Sequence, residues 1–132
     1  MTNGFVALVK TKSNITDIIG TDPYRIFPVM LPQQQSTFPC IVYRVVNINP
    51  ANTFDGGSTY DEYYLDVFVY ARTYDSAFDL FNTFRSEIED SVGTYDGVEI
   101  EHVWFVDGGD YDYLDELDLW TNRMELKIAV QR

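Results

Sequence analysis

The stretch Tyr60-Asp61-Glu62-Tyr63-Tyr64-Leu65-Asp66-Val67-Phe68-Val69-Tyr70-Ala71 decides the fold. Residues two apart share one face of a β-strand. Here Tyr63, Leu65, Val67 and Val69 make one face aliphatic, while Tyr64, Asp66, Phe68 and Tyr70 make the other aromatic and partly polar. A strand of this kind lays its aliphatic face on a core. Just upstream, Asn49 to Ser58 holds Pro50, Asn52, Asp55, Gly56 and Gly57, residues suited to turns, so it reads as the connection of a long hairpin. The partner strand is the β-branched run Cys40 to Ile48.

Downstream the period changes from two to between three and four. Ala77, Phe78, Phe81, Phe84, Ile88 and Val92 form a stripe opposed by Asp79, Asn82, Arg85, Ser86 and Glu89, which predicts a packing helix over 74–92. Thr73 or Asp75 caps its start, and Gly93 stands where it stops. Two further strands follow. Val98, Ile100, His102, Trp104 and Val106 share one parity, as do Trp120, Met124, Leu126, Ile128 and Val130, with an acidic connection from Asp107 to Asp118 between them. At the other end, Phe5, Leu8, Val9, Lys12, Ile15, Ile18 and Ile19 predict one helix over 4–20, closed by Gly20 and Pro23. Arg25 to Pro28 reads as a short extended piece, and the proline- and glutamine-rich stretch to Pro39 as a loop. Helix, strands, helix, strands with hairpin connections define an α+β fold, a mainly antiparallel sheet packed on one face by two helices, as a single domain over 1–132.

The 132 residues suffice for one core, and ten Tyr, nine Phe and two Trp supply it. The formal charge is −12, unevenly placed: residues 1–66 carry 4 bases and 6 acids, whereas residues 67–132 carry 5 and 15, a net −10. Tight nucleic-acid binding needs Lys and Arg to displace counterions, so this balance excludes it. Apolar runs are far shorter than the roughly 18 residues that span a bilayer, and the start lacks the features of a signal peptide. Neither membrane insertion nor secretion is expected. The lone Cys40 permits no intramolecular disulfide and fits a reducing compartment.

Reactive chemistry has little to draw on. One His, one Cys and no Gly-x-Ser-x-Gly elbow leave no nucleophile with its base, so His102 reads as a hydrogen-bonded histidine in the core or at a subunit contact, and Cys40 as a small buried hydrophobe. Zinc wants three or four Cys and His ligands. Gly56-Gly57 and Gly108-Gly109 lack a phosphate-loop context. The acidic run Asp107, Asp110, Asp112, Asp115, Glu116 and Asp118 fails the spacing of a calcium loop: Leu114 takes the fifth position from Asp110, and Thr121 stands where the closing glutamate belongs. It reads as a solvated acidic loop. No catalytic residue, metal or cofactor is therefore expected.

A family resemblance emerges from the order and spacing of several pieces: the helix ending Ile18-Ile19-Gly20, then Arg25-Ile26-Phe27-Pro28, then Phe38-Pro39-Cys40-Ile41-Val42-Tyr43 opening a strand. After these come Asn52-Thr53-Phe54-Asp55-Gly56, Leu65-Asp66-Val67-Phe68-Val69-Tyr70-Ala71, and a helix from about Ser76-Ala77. Together they resemble the phage tail-terminator or tail-completion proteins of the minor tail protein U type; the acidic segment has no counterpart in that pattern. The resemblance implies a structural virion protein assembled in the host cytoplasm. Its subunits would form a hexameric ring that caps the tail tube, binding the tube protein on one side and the head connector on the other, while DNA passes without sequence-specific contact. A head-closure or other neck protein is the alternative, and an acidic DNA-mimic inhibitor a more distant one. Candidate contacts are Asn52, Thr53, Phe54, Asp55, Gly56 and Gly57 at the hairpin tip and the Tyr64, Phe68 and Tyr70 face, which either meets a partner or lies beneath a helix. The acidic run is the candidate lining of a bore, or a solubilising surface.

Overall fold

The computed structural model describes residues 1–53 and 56–132, with the side chains of 51–59 outside the description. The elements are α1 (Thr2–Lys10), α2 (Ser13–Ile19), β1 (Ile26–Pro28), β2 (Cys40–Thr53), β3 (Gly56–Ala71), α3 (Tyr74–Ile88), β4 (Gly93–Tyr95), β5 (Val98–Leu114) and β6 (Leu119–Gln131). The strands form one sheet in the order β1-β2-β3-β6-β5-β4. All neighbours are antiparallel except β1, which runs parallel to β2 with Ile26 opposite Ile41.

The α+β class, the long hairpin and the mainly antiparallel pairing match the reading of the sequence; the parallel β1 makes the sheet mixed, and three helices cover it instead of two. The apolar stripe of the first helix is right: Phe5, Leu8, Val9, Ile15 and Ile19 are all fully buried. Its continuity is not. Lys12 takes extended backbone (ψ 97°), and its carbonyl accepts from the amides of Ile15 and Thr16 to start α2. Thr11 Oγ1 donates to the Leu8 carbonyl at 2.6 Å, closing α1. Two short helices thus share a stripe that a single straight helix would have carried.

Helix α3 begins where Thr73 Oγ1 accepts the Ser76 amide at 3.1 Å, which settles the cap in favour of Thr73. The helix ends at Ile88, short of Val92, which is exposed. Its buried stripe is Ala77, Leu80, Phe81, Phe84 and Ile88. Leu80 replaces Phe78, whose ring is partly exposed and stacks on Tyr74 and Phe81 instead.

One cluster joins the helices to Ile41, Tyr43, Leu65, Val67, Val69, Met124, Leu126, Ile128, Ile100 and Val103. Every strand residue in it belongs to the same sheet face, so the helices cover that face alone. On β5 the expected parity fails beyond Ile100. A bulge between Ile100 and His102 moves Val103 and Phe105 inward, leaving Trp104 and Val106 exposed; a second after Phe105 returns Gly108 and Asp110 to the inner face, and a third after Asp110 reverses the parity again. The acidic stretch is not a loop: β5 continues through Leu114 and pairs with β6 to the end, so the turn is confined to Asp115–Asp118. Likewise the hairpin strands β2 and β3 run on to Thr53 and Gly56.

Candidate functional site

The face turned away from the helices is the candidate site, built from alternate residues of four adjacent strands. β3 places Tyr64, Asp66, Phe68 and Tyr70 there; the register sets Phe68 between Val42 and Arg123, and Asp66 between Arg44 and Glu125. Asp66 is buried and accepts from Arg123 Nη2 at 2.6 Å and Arg44 Nη2 at 3.4 Å. Arg123 continues the network to Asp107 (3.5 Å) and Glu125 (3.8 Å). Its guanidinium is held charged by the hydrogen bond to Asp66. Alongside, Lys127 bridges to Glu62 at 2.8 Å and lies 4.5 Å over the Trp104 ring.

Aromatic rings are interleaved with these charges. Phe68 receives the Tyr111 ring edge-on at 5.3 Å and has the Arg44 guanidinium 5.8 Å above it. Burial pushes the Tyr70 phenol up from its ordinary range, helped by Tyr111. Tyr64, Phe68 and Tyr70 therefore share one aromatic and ionic surface that no helix covers. One end of the same face is overlain by the loop between β1 and β2. There Phe38 lies under Arg72 (4.7 Å), Arg72 Nη1 donates to the Leu117 carbonyl at 2.7 Å, and Leu31, Pro32, Phe38 and Leu119 line a depression of about 290 Å³.

The acidic candidates are strung along β5 and the turn that follows it rather than gathered. Asp107 belongs to the Arg123 network. Asp110 accepts from Asn122 Nδ2 at 2.9 Å and from the Tyr74 hydroxyl at 2.8 Å, a bond that raises the Tyr74 pKa. Asp112 Oδ1 accepts the Tyr113 amide at 2.8 Å, and its carbonyl accepts from Thr121. Asp118 accepts from the Tyr113 hydroxyl at 2.7 Å, while Asp115 and Glu116 are exposed at the tip. Among the described residues no group of carboxylates, His or Cys is arranged to hold a metal ion. The tip candidates Asn52, Thr53, Gly56 and Gly57 lie at the ends of β2 and β3; Phe54 and Asp55 are outside the described residues.

His102 Nε2 is 2.9 Å from Asp90 Oδ1, and its ring leans on Trp104 at 4.6 Å. It is hydrogen-bonded as expected, but on the outer face rather than in the core. Cys40 is fully buried, with Sγ 3.0 Å from the Thr37 carbonyl. Burial pushes its thiol up to about 11, and nearby Arg25 offsets this only in part. The thiolate is the reactive form. At pH 8 the native protein is expected to react with iodoacetamide roughly 100-fold more slowly than an unfolded chain, because two pKa units remove that much thiolate. The stability held by this neutral thiol is complete below the unfolded pKa near 9 and is lost as pH rises through about 11. Alkylation followed by mass spectrometry, with and without urea, checks the first statement.

Interlocked surface charges beside aromatic rings are the composition of many protein contact surfaces. The comparison with protein families agrees: the model of tail completion protein gp17 matches residues 5–129, and the chain belongs to that family of phage tail structural proteins. A chain of the virion of a native gene transfer agent particle superposes with a TM-score of 0.76 at 9% identity, covering 98% of this chain and 92% of that one. A second solved chain gives 0.52 at 14% identity, with 97% and 93% covered. At such identities the likeness shows the fold. No curated protein matches the sequence.

Proposed function

We propose that copies of this chain close into a hexameric ring that caps the tail tube at its head-proximal end, halts tail polymerisation and joins the tube to the head connector. The observation that carries this reading is the sheet face that no helix covers, where Phe68 lies under Arg44, Trp104 under Lys127 and Tyr64 opposite Lys127, the cations being tied into ion pairs. Aromatic anchors among satisfied charges suit a protein contact, and family membership supports a structural role in the tail. The hairpin reaching Thr53 and Gly56 would serve as an arm toward a neighbour. The net −12 would let DNA slide past without adhering. Catalysis has no place in this account.

A DNA mimic is the less favoured reading, since Asp66, Asp107, Asp110 and Asp118 are tied to partners within the chain. Electron microscopy of particles assembled without this protein tests the proposal. Overlong or headless tails are expected; full heads that leak DNA beside normal tails would instead assign a head-closure role. In the same assay, deletion of Asn52–Gly57 is expected to weaken attachment, and unchanged attachment would remove the arm from the account.

A further inference from the structure

The two outer long strands of the sheet are each covered over only a few residues. β1 pairs with β2 at Ile41, Val42 and Tyr43 alone, and the Val29 amide adds one bond to the Tyr43 carbonyl. β4 pairs with β5 at Val98, Glu99 and Ile100 alone, and the Asp90 amide adds one bond to the Val103 carbonyl. Beyond these points β2 from Arg44 and β5 from Trp104 run on as edge strands at opposite sides of one sheet. An uncovered edge offers a row of unpaired amides and carbonyls to another strand. Six of the twelve exposed large apolar residues among those described lie on these same segments: Val45, Val46 and Ile48 on β2, and Trp104, Val106 and Tyr111 on β5.

Charge selects the partner. β2 has one arginine, Arg44, and no acid, whereas β5 carries Glu99, Glu101, Asp107, Asp110 and Asp112 and neither Lys nor Arg. Pairing β5 with a second β5 would oppose two acidic rows. Pairing β2 with β2 would be isologous and stop at a dimer, leaving both β5 edges bare. We infer that the uncovered β2 edge of one copy pairs with the uncovered β5 edge of the next, so that the sheet continues from subunit to subunit. This contact is heterologous, uses each edge once and leaves none open when the chain of subunits closes. Pro50, which has no amide hydrogen, marks the far limit of the pairing segment on β2. The inference rests on the ring reading above and specifies which surfaces close the ring.

Two full-length single variants test it, Val46→Pro and Val106→Pro. Both positions are bulges that the ladders skip, where proline is tolerated within a subunit but obstructs a new strand. Sedimentation velocity, alone and with purified tail tubes, is expected to show wild-type oligomers and at least tenfold weaker self-association for each variant. An equimolar mixture of the two variants is expected to form a heterodimer and nothing larger, because one intact β2 edge and one intact β5 edge remain. If circular dichroism shows that a proline variant does not fold, Ile48→Asp or Val106→Lys replaces it. Oligomerisation of both variants like wild type would overturn the edge pairing and leave the ring reading standing; so would a Val106→Pro protein that still dimerises while Val46→Pro does not. Wild-type chain that stays monomeric even on tubes would overturn the ring reading, and the edge pairing with it.

Discussion

Phe81→Ala is expected to lower the unfolding free energy by about 3–5 kcal/mol, the cost of deleting a buried aromatic ring whose cavity cannot collapse. Phe81 is 5% exposed and sits between the stacked ring of Phe78 (6.1 Å) and the edge-on ring of Phe105 (6.3 Å), where α3 crosses β5 and β6. Both neighbours have partners of their own. Phe105 is held from its other side by the Arg85 guanidinium 3.8 Å from its centroid, and Phe78 stacks on Tyr74. Total stabilities of small domains are about 5–15 kcal/mol, so the loss consumes a large part of the margin. Urea titration followed by tryptophan fluorescence measures it. A change below about 1 kcal/mol would mean that the helix is not seated on the sheet as described.

Gly108→Ala is expected to cost about 1–3 kcal/mol for the opposite reason, overpacking. A Cβ at Gly108 would lie 2.7 Å from the Arg123 carbonyl oxygen, 3.0 Å from Met124 Cα and 3.0 Å from Phe81 Cζ. Two of those atoms are backbone of β6, so relief requires β5 and β6 to separate rather than a side chain to turn. The third belongs to Phe81, which ties the two predictions together. In the Phe81→Ala background the ring no longer obstructs, so the two costs are expected to sum to more than the double variant loses, with the backbone part of the penalty remaining. Strict additivity in the same titration would show that the ring and the glycine do not share space.

How much of this was legible beforehand depended on whether periodicity survived local irregularity. On β3 the alternation is unbroken from Tyr63 to Ala71, and both faces were read correctly from it. On β5 the same method failed after Ile100, because each bulge adds a residue and exchanges the faces. Strict alternation places His102, Trp104 and Val106 on the side that Val103 and Phe105 occupy. No residue type near Glu101 announces such a bulge. The acidic stretch misled in another way: Asp107 to Asp112 has low strand propensity, yet Asn122, Thr121, Tyr74 and Arg123 give those residues partners that only the folded register supplies. The break at Lys12 was hidden because both helices keep one stripe. The parallel pairing of β1 depends on where a loop returns, which no pattern within Arg25 to Pro28 encodes.

At the candidate site, the aromatic alternation of Tyr64, Phe68 and Tyr70 was visible in the sequence, and so was the choice it posed between a partner and a helix. The helices take the opposite face. The ionic network escaped notice because Arg44, Asp66 and Arg123 are far apart in the chain, and their meeting at Asp66 is a product of the β2-β3-β6 register.

That register also divides the sheet into local and distant pairings. β2 with β3, and β5 with β6, are hairpins whose strands adjoin in sequence and can zip locally, whereas the seam between β3 and β6 joins residues as distant as Tyr60 and Gln131. Closing it joins parts of the chain separated by a long intervening stretch, a contact of high sequence separation whose loop-closure entropy is the larger. Until β6 docks, β3 presents a bare flank, the edge of the first ribbon most open to pairing with a wrong strand.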